Sequence, residues 1–503
     1  MSSNHLISNY IQQPNMWDEM FTTSGKVRKV YNNFGDFLDK VHLTEINQLQ
    51  EFSNQLFMNQ GVTFTVYDDD KGVERIFPFD IIPRIIHEQE WRKIESGLIQ
   101  RIKALNLFLK DVYNDQYILK DQIIPVDLIA SNSNFIREMR NLQVPGDIYT
   151  HVAGVDLIRN NDGEFYVLED NLRTPSGVSY MLENREITRR LYPNMLPKQK
   201  VLPIGDYPSL LHSKLETLSN KDNPTIVLLT PGLYNSAYYE HTSLARQMGV
   251  ELVEGSDLIM ENHYVYMKTA GGLKKVDIIY RRVDDDYLDP LNFKSDSVLG
   301  LAGIMDSYRQ GNISIVNAPG TGVADDKAIY IYVPEMISYY LNEDPILKNI
   351  KTYQCSISED KEYVVKNIDK LVVKRTDGSG GYGMLVGTAA SEKEIKKFIA
   401  RIKKYPDKYI AQPTMNLSTT PCVIDNELTP RCVDLRPFAV YGRDGITVSP
   451  GGLSRVALKK GSLVVNSSQG GGSKDTWIIK SCQVELPTTY FGWIAIWKEA
   501  TGC

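Results

Sequence analysis

Apolar residues recur at regular intervals among polar ones from Trp91 to Tyr113. The apolar positions recur every three or four residues, at Ile94, Leu98, Ile102, Leu105, Phe108, Leu109 and Val112. This is the period of an amphipathic α-helix. We therefore expect a helix here whose apolar stripe packs into a core.

The segment 152–172, VAGVDLIRNNDGEFYVLEDNL, has a different pattern. Two runs rich in β-branched and aromatic residues flank the tripeptide Asn161-Asp162-Gly163. Asn, Asp and Gly tolerate the backbone angles of a tight turn, so this arrangement predicts a β-hairpin.

Between residues 225 and 319, short apolar runs alternate with helical segments. The runs TIVLLT (225–230), VELVEG (250–255), VDIIYRR (276–282) and ISIVNAP (313–319) are typical of buried strands, and 238–249 and 297–309 of helices. Strands that alternate with helices predict parallel pairing in an open α/β sheet. The polar, proline-containing segment 198–224 before them indicates a domain boundary near residue 220.

The pattern after residue 320 predicts a helix over 323–341, then a β-rich domain with one helix at Lys393–Lys404. The last stretch, 477–503, is irregular and predicts no regular element.

Composition and charge exclude several classes of protein. The chain has 503 residues, 42% hydrophobic and 23% charged, with a formal net charge of −6 and no Lys/Arg run. We expect no nucleic-acid partner and, since no apolar run approaches about 20 residues, no membrane span. The five cysteines form no CxxC pair, and the first residues do not resemble a signal peptide. These features favour a cytoplasmic enzyme without structural zinc or disulfides.

A glycine-rich loop lies in LVVKRTDGSGGYGMLVG, residues 371–387, with Gly378, Gly380 and Gly383 spaced as GxGxxG. A dinucleotide-binding fold requires a helix directly after such a loop, and none is predicted before about residue 391. The lysine, HRD and DFG signatures of protein kinases and the GK[ST] of a P-loop are also missing. Two interpretations stay open: a loop that, with Lys374, covers nucleotide phosphates, or an ordinary surface hairpin.

The hairpin carries a second candidate site. Asp156 and Glu169 lie on opposite arms, and Asn171 shares a face with Glu169 because side chains alternate along a strand. Oxygen ligands of this kind suit Mg²⁺; a solvated acidic face is the alternative. Asp170 should face the other way, and Arg173 is placed to balance a phosphate or substrate carboxylate, or to pair with Asp170.

Together these features resemble the circularly permuted ATP-grasp proteins, which are distantly similar to glutathione synthetase and glutathionylspermidine synthetase. In the usual ATP-grasp order the magnesium hairpin follows the glycine-rich loop, whereas here it precedes it. The resemblance covers about residues 25–476, including FPFDIIPRII (77–86), YVLEDNLRTPSG (166–177), VDIIYRRVDDDYLDPL (276–291) and GGGSKDTW (470–477).

The resemblance implies an α/β (α+β) fold, a circularly permuted ATP-grasp with an open α/β pre-ATP-grasp domain. The implied division is 1–220, a helical region with the magnesium hairpin; 221–322, the pre-ATP-grasp domain; 323–476, the nucleotide-binding part; and 477–503, an irregular tail.

The resemblance also implies roles for individual residues. Lys327 and Lys374 match the nucleotide lysines, and Gln412 lies in the segment that passes the adenine. Arg436 and Arg455, with Lys374, match the catalytic cations, and Asp156, Glu169 and Asn171 match the magnesium ligands. The residues matching the phosphate loop are Gly378, Ser379, Gly380, Gly381 and Gly383.

The implied activity is that of an ADP-forming ligase that uses ATP and Mg²⁺ to activate a carboxylate as an acyl phosphate for attack by an amine. Two alternatives remain: phosphoryl transfer to a different acceptor, and a nucleotide-binding scaffold with a protein partner and no turnover.

The analogy with glutathione synthetase favours a small amino-acid or peptide-like substrate. Open α/β sheets bind ligands at the carboxyl ends of their strands. Apart from Arg173, the candidates in such positions are Tyr234, Asn235, Glu240, His241, Arg281 and Arg282.

Overall fold

The computed structural model describes residues 6–68, 71–378, 383–424, 427–459, 461–462, 465 and 471–480. The first part of the chain forms these elements: α1 (Asn32–Lys40), α2 (Leu43–Asn59), β1 (Thr63–Asp68), β2 (Lys71–Ile76), β3 (Phe79–His87), α3 (Glu88–Tyr113), α4 (Tyr117–Lys120), α5 (Val126–Ala130), β4 (Val152–Arg159), β5 (Phe165–Asn171), α6 (Val178–Leu191), α7 (Met195–Lys198) and α8 (Tyr207–Glu216).

The middle part of the chain contributes a second group of elements: β6 (Ile226–Leu229), α9 (Tyr238–Met248), β7 (Glu251–Val253), β8 (Leu258–Glu261), β9 (Tyr264–Thr269), β10 (Gly272–Lys275), β11 (Ile278–Arg281), α10 (Asp285–Leu288), α11 (Ile304–Arg309), β12 (Ser314–Val316) and α12 (Val333–Leu341).

The last part adds a third group: β13 (Lys348–Asn349), β14 (Tyr353–Gln354), α13 (Ser358–Asn367), β15 (Leu371–Arg375), β16 (Leu385–Val386), α14 (Glu392–Lys404), β17 (Tyr409–Pro413), β18 (Thr419–Ile424), β19 (Glu427–Arg436), β20 (Phe438–Gly442), β21 (Gly445–Val448), β22 (Leu453–Val456) and β23 (Gly472–Ile479).

The largest sheet combines strands from both ends of the chain. Its main order is β13-β5-β4-β19-β22-β23-β3, and β18 and β20 pair with β19 and β4. The pairs are antiparallel from β5 to β23, while β3 runs parallel to β23. Segments expected in two separate parts, 1–220 and 323–476, therefore share one sheet.

The predicted helix at 91–113 is confirmed as α3. Its apolar stripe, from Trp91 through Leu98 and Leu105 to Val112, is buried in the main core. Full burial of one such side chain stabilises the fold by about 1.5–3 kcal/mol, so the stripe holds α3 against the sheet.

The middle part forms the predicted open α/β sheet. The order is β12-β11-β6-β7, and each neighbouring pair is parallel. The helix expected over 297–309 is shorter than predicted and begins at Ile304. A Cβ at Gly300 would lie 2.0 Å from the Leu288 carbonyl oxygen, and Gly303 has a positive φ of 84°. Asp289 accepts the backbone N–H groups of Gly303 and Met305, which fixes the helix start there.

A small antiparallel sheet, β14-β17-β15-β16, lies with α13 and α14 around its own apolar core. The helix expected over 323–341 is α-helical only from Val333. The Asp326 carboxylate accepts the backbone N–H of Ala328, a local bond that competes with helical hydrogen bonding, while Asp325 accepts the N–H of the distant Leu172. Pro334 then occupies the first turn of α12, where its missing N–H costs nothing.

The prediction of an irregular tail from residue 477 is wrong for its first residues. β23 continues to Ile479, and the Trp477 side chain is fully buried in an apolar core. Among the described residues, no helix combines the length and apolar character needed to cross a membrane.

Candidate functional site

The hairpin of β4 and β5 has the predicted geometry. Asp156 lies opposite Glu169, and Gly154 lies opposite Asn171. The turn between the strands contains Gly163 at a φ of 81°. Asp156, Glu169 and Asn171 therefore share one face of the sheet, as predicted.

Asp170 faces the other way, which is also confirmed. Its carboxylate accepts two hydrogen bonds from Arg101, at 2.7 and 2.6 Å, and both side chains are 1% exposed. The alternative pairing of Asp170 with Arg173 is wrong, because Arg173 instead binds Asp325 at 3.1 Å.

Two arginines bind Asp156 in the interior of the site. Arg436 donates to both carboxylate oxygens, at 2.5 and 2.8 Å, and Arg455 donates to Oδ2 at 2.8 Å. Burial opposes ionisation of Asp156, but the two guanidinium groups outweigh it and hold the pKa well below its usual range. Asp156 is a carboxylate whose charge is already neutralised.

Asp434 is a fourth charged group in this cluster. It lies opposite Arg455 in the β19–β22 pair and accepts its Nε at 2.9 Å. Sequence reasoning missed Asp434, although its position two residues before Arg436 in one strand placed both on the same face.

The two lysines predicted to bind the nucleotide lie near the start of the glycine-rich loop. Lys327 donates to the Gly378 carbonyl at 2.6 Å and lies 3.4 Å from Glu169. Lys374 donates to Gln412 Oε1 at 2.8 Å. Burial lowers the pKa of Lys374 to about 8, with nearby Lys327 adding to the effect and Glu169 opposing it.

A first cleft lies between the small sheet and the large one. Its walls are mainly apolar, and the charged groups Asp156, Glu169, Lys327 and Lys374 lie at its lining with Asp434 and Arg455. The apolar lining residues are Ile158, Leu168, Ile350, Val372, Met384, Val386, Met415, Leu417 and Val465, with Pro413 beside Gln412. Gly378 lines this cleft too. Gly383 has a φ of 71°, and the predicted loop residues Ser379, Gly380 and Gly381 lie outside the described residues.

A second cleft adjoins the first. The segment from Asn171 to Gly177 and the α/β-domain residues Ser236, Ala237 and Asp284 line it. Glu169, Lys327, Gly378 and Arg455 line both clefts. The two clefts thus meet at the charged groups.

Of the predicted substrate residues, Arg173 lines the second cleft. Glu240 and Arg282 lie buried behind its wall and form an ion pair at 3.1 Å. Glu240 accepts the backbone N–H groups of Gly177 and Ser179, and Arg282 donates to the Pro175 carbonyl. Both therefore hold the wall in place from behind.

The remaining predicted substrate residues do not line either cleft in the described part of the chain. Tyr234 is 85% exposed, and Asn235 accepts the Ala237 N–H before α9. His241 is buried against Thr230, and burial lowers its pKa. Arg281 donates to the carbonyls of Asn317 and Ala318. The side chains of Asn235, His241 and Arg281 thus form hydrogen bonds within the fold.

Asp284 and Asp325 also line the second cleft and were not predicted from the sequence. Both belong to runs of acidic residues, DDD at 284–286 and DD at 325–326. No feature of these runs distinguishes a residue in a cleft from one on a solvated surface.

The oxygen donors of the hairpin fit a magnesium ion that is shared with a phosphate. Glu169 and Asn171 line the second cleft, and the buried Asn171 Nδ2, an N–H donor with no hydrogen-bond partner among the described residues, is available to a phosphate oxygen. Asp156 is less free, because three of its roughly four lone-pair directions are taken by arginines. Within the described residues no three His, Cys, Asp or Glu side chains cluster as a metal site. The ion would thus need ligands from its substrate, as Mg²⁺ commonly has.

Comparison with known proteins gives a family match. The model of the family described as circularly permuted ATP-grasp type 2 matches residues 83–457. An uncharacterized protein of Synechocystis sp. is 51% identical over 471 residues, covering 93% of this chain and 97% of that relative. An uncharacterized protein of Mycobacterium tuberculosis is 49% identical over 465 residues, covering 92% and 84%.

A Frankia alni protein named "Putative glutamate--cysteine ligase 2-3" is 39% identical over 469 residues. The match covers 93% of this chain but 54% of that relative, so the chain spans about half of its length. Among solved structures, a glutathione synthetase-like effector of Globodera pallida matches with a TM-score of 0.58 at 10% identity. It covers 88% of this chain and 98% of that one. This last likeness shows the fold.

Proposed function

The chain belongs to the circularly permuted ATP-grasp type 2 family, and from this premise we propose that it is an ATP- and Mg²⁺-dependent carboxylate–amine ligase. The reaction yields ADP and phosphate and forms an amide or peptide bond.

The observation that carries the proposal is the meeting of two clefts at one set of charged groups. Glu169, Lys327, Gly378 and Arg455 line both. A phosphate donor in the first cleft and an acceptor in the second would therefore approach each other at these residues. Alignment of the reacting groups is a large part of catalysis in such a reaction.

The first cleft suits a nucleotide. Its apolar side chains, such as Val372, Met415 and Leu417, offer a surface for a flat base, while Lys327 and Lys374 offer positive charge for phosphates. The family match supports ATP as the nucleotide.

The reaction proceeds in two displacements. A carboxylate oxygen of the substrate attacks the γ-phosphorus, the bond to the bridging oxygen breaks, and ADP leaves. The amine nitrogen then attacks the acyl carbonyl carbon, the C–O bond to phosphate breaks, and the nitrogen loses a proton. Neither step requires a nucleophile from the protein.

The protein's own contribution is to position and neutralise negative charge. Lys374, Arg436 and Arg455 are the cations we assign to this role, and Arg436 lines the second cleft, where an acyl phosphate would form. Glu169 and Asn171 would hold the magnesium ion, with Asp156 beside them. When bound, Mg²⁺ supplies charge stabilisation at the phosphate oxygens.

The name of the Frankia relative supports amino-acid substrates as a class. It does not assign that relative's activity to the matched half of its chain, because the match covers 54% of its length. We therefore propose an amino-acid or peptide-like carboxylate and leave the pair of substrates to experiment.

The test is a measurement of ADP release from ATP and Mg²⁺ against a panel of amino acids and small peptides. Hydroxylamine is added as the acceptor, because it traps an acyl phosphate as a hydroxamate. We expect substrate-dependent ADP and hydroxamate. AMP with pyrophosphate, or a stable phosphorylated product, would contradict the ligase mechanism.

Two variants sharpen this test. Glu169→Gln should lower turnover at least 100-fold, since the residue lines both clefts, while Glu164→Gln on the same hairpin should not, because Glu164 is half-exposed. ATP binding with no substrate-dependent turnover in any member of the panel would support a scaffold role instead.

A further inference from the structure

The charged groups that line the second cleft are paired with partners of opposite sign, with one exception among the described residues. The pairs are Glu169 with Lys327, Asp170 with Arg101, Asp325 with Arg173, and Asp156 with both Arg436 and Arg455. The exception is Asp284, whose carboxylate has no hydrogen bond or ion pair within the described part of the chain.

Asp284 occupies a position where an aspartate usually has a structural task. It is the residue directly before the helix α10, and an aspartate there commonly accepts a backbone N–H of the first turn. Its side chain makes no such bond, and the residue is exposed and lines the cleft. Its carboxylate is therefore available to a ligand.

The surroundings of Asp284 are those of a ligand site in an open α/β sheet. The residue follows the carboxyl end of β11, which pairs in parallel with β6. Ser236 and Ala237, in the connection after β6, line the same cleft. Ligands bind in this crevice of such sheets.

The acidic residues near Asp284 have arginine partners of their own. Asp325 contributes most to holding the pKa of Arg173 above its usual value, with Asp284 and then Asp285 acting from further away. Asp285 has its own partner in Arg281. Arg173 and Arg281 thus each have another carboxylate as their partner, and among the described residues Asp284 is left without one.

We propose that Asp284 binds the ammonium group of the amine substrate in the second cleft. One carboxylate matches one alkylammonium group in charge, whereas a divalent metal would require further oxygen ligands, and no such cluster of acidic residues occurs among the described residues. That the bound amine is the acceptor of the reaction rests on the proposed ligase function, in which the ammonium releases one proton to solvent before its nitrogen attacks; the binding itself does not rest on it.

The experiment measures binding directly, by isothermal titration of the full chain at pH 7 without nucleotide turnover. The probes are glycine, L-alanine, L-glutamate and 1,4-diaminobutane. Each is compared with its hydroxyl counterpart, namely glycolate, L-lactate, 2-hydroxyglutarate and 1,4-butanediol. We expect at least one amine to bind the unmodified protein at least tenfold more tightly than its counterpart.

Asp284→Asn should weaken binding of that amine at least tenfold and leave binding of its hydroxyl counterpart unchanged. Asp284→Glu should restore part of the affinity. The matched control is Asp286→Asn, because Asp286 is also exposed, two residues further along in α10, but does not line the cleft; the Kd of this variant for the amine should change less than twofold.

Equal affinity of the unmodified protein and Asp284→Asn for every amine would overturn the proposal. So would a panel in which no amine binds more tightly than its counterpart. Amine binding through Asp284 without ADP release in the ligase assay would uphold the site and contradict the proposed function.

Discussion

At the scale of single residues, the negative charge of Asp156 is balanced by arginines of the protein itself. Arg436 and Arg455 bind both of its oxygens, whereas Glu169 is 25% exposed and has a single lysine at 3.4 Å. Two carboxylates that face each other in the hairpin are thus suited to different tasks. Asp156 fixes the arginines, and Glu169 remains open to an ion or a substrate.

This difference leads to a stability prediction. Asp156→Asn should lower the free energy of unfolding by about 3 kcal/mol, because it leaves the Arg436 guanidinium without its counter-charge and Arg455 with Asp434 alone. Glu169→Gln should change it by less than about 1 kcal/mol, since its ion pair with Lys327 is long, at 3.4 Å, and partly open to solvent. Urea unfolding of both variants makes the comparison. Equal, small losses would mean that the fold does not need the Asp156 charge.

Lys374 gives a prediction about pH. Burial lowers its pKa to about 8, so the cation that we propose for phosphate binding is lost as the pH rises through that value. Affinity for ATP should be constant below pH 8 and fall up to tenfold per pH unit above it. A Lys374→Arg variant keeps its charge, so its affinity should not fall over this range. Fluorescent-nucleotide titrations at pH 7 to 9.5 provide the measurement, and identical pH profiles for the two proteins would contradict it.

At the scale of elements, the hairpin was predictable because its turn tripeptide and its alternating side chains agree. The two arginines and Asp434 were harder to place. Sequence spacing gives the face of a strand but not the neighbouring strand, and β19 and β22 lie far along the chain from β4. The position of Asp284 in the cleft was not predictable, because three consecutive acidic residues form no periodic pattern that shows which of them lies in a cleft.

Helix ends show the same limit. The helix expected over 297–309 contains Gly300, whose backbone packs against the Leu288 carbonyl, a contact between residues of different elements. Such a contact is invisible in a local pattern. Propensity alone therefore predicted too long a helix.

The glycine within α3 tests the importance of such contacts. Replacing an interior helical glycine by alanine usually stabilises a helix by about 1 kcal/mol. At Gly97, however, a Cβ would lie 2.5 Å from Leu347 Cγ, and Leu347 is buried. Gly97→Ala should therefore destabilise the protein by about 1–2 kcal/mol in urea unfolding.

Gly205→Ala is the control for this change, since no atom of the described residues lies within 4 Å of a Cβ at that position. Its unfolding free energy should stay within about 0.5 kcal/mol of the unmodified protein. A stabilised Gly97→Ala protein would show that Leu347 moves aside without cost.

At the scale of the whole molecule, the candidate site depends on contacts between distant parts of the chain. The wall of the second cleft is held by Glu240 and Arg282 from the α/β domain, and the floor of the first by strands of the large sheet. The geometry of the site therefore requires that both the α/β domain and the large sheet are folded.

Acid sensitivity should be a property of this fold. Burial lowers the pKa of His151 to about 4, while the unfolded chain protonates this residue near its ordinary value of about 6.5. The unfolded state binds more protons in this range, so stability falls as the pH drops from 6.5 toward 4. Between pH 7.5 and 5 this histidine should account for roughly 2 kcal/mol.

The check is urea unfolding at both pH values for the unmodified protein and His151→Gln. The variant should lose roughly 2 kcal/mol less on acidification. Parallel losses in the two proteins would show that other groups cause the acid sensitivity.

The pairing of β3 with β23 has a consequence for how the protein is made. Lys474 of β23 binds Asp80 of β3 across 394 positions in the sequence. On a ribosome that adds about 5–20 residues per second, β3 would be exposed for many seconds before its neighbour is synthesised. During that interval its apolar strand residues, among them Ile82 and Ile85, lack a partner strand on that side. Nascent chains halted before β23 should therefore be the species that chaperones bind and proteases remove.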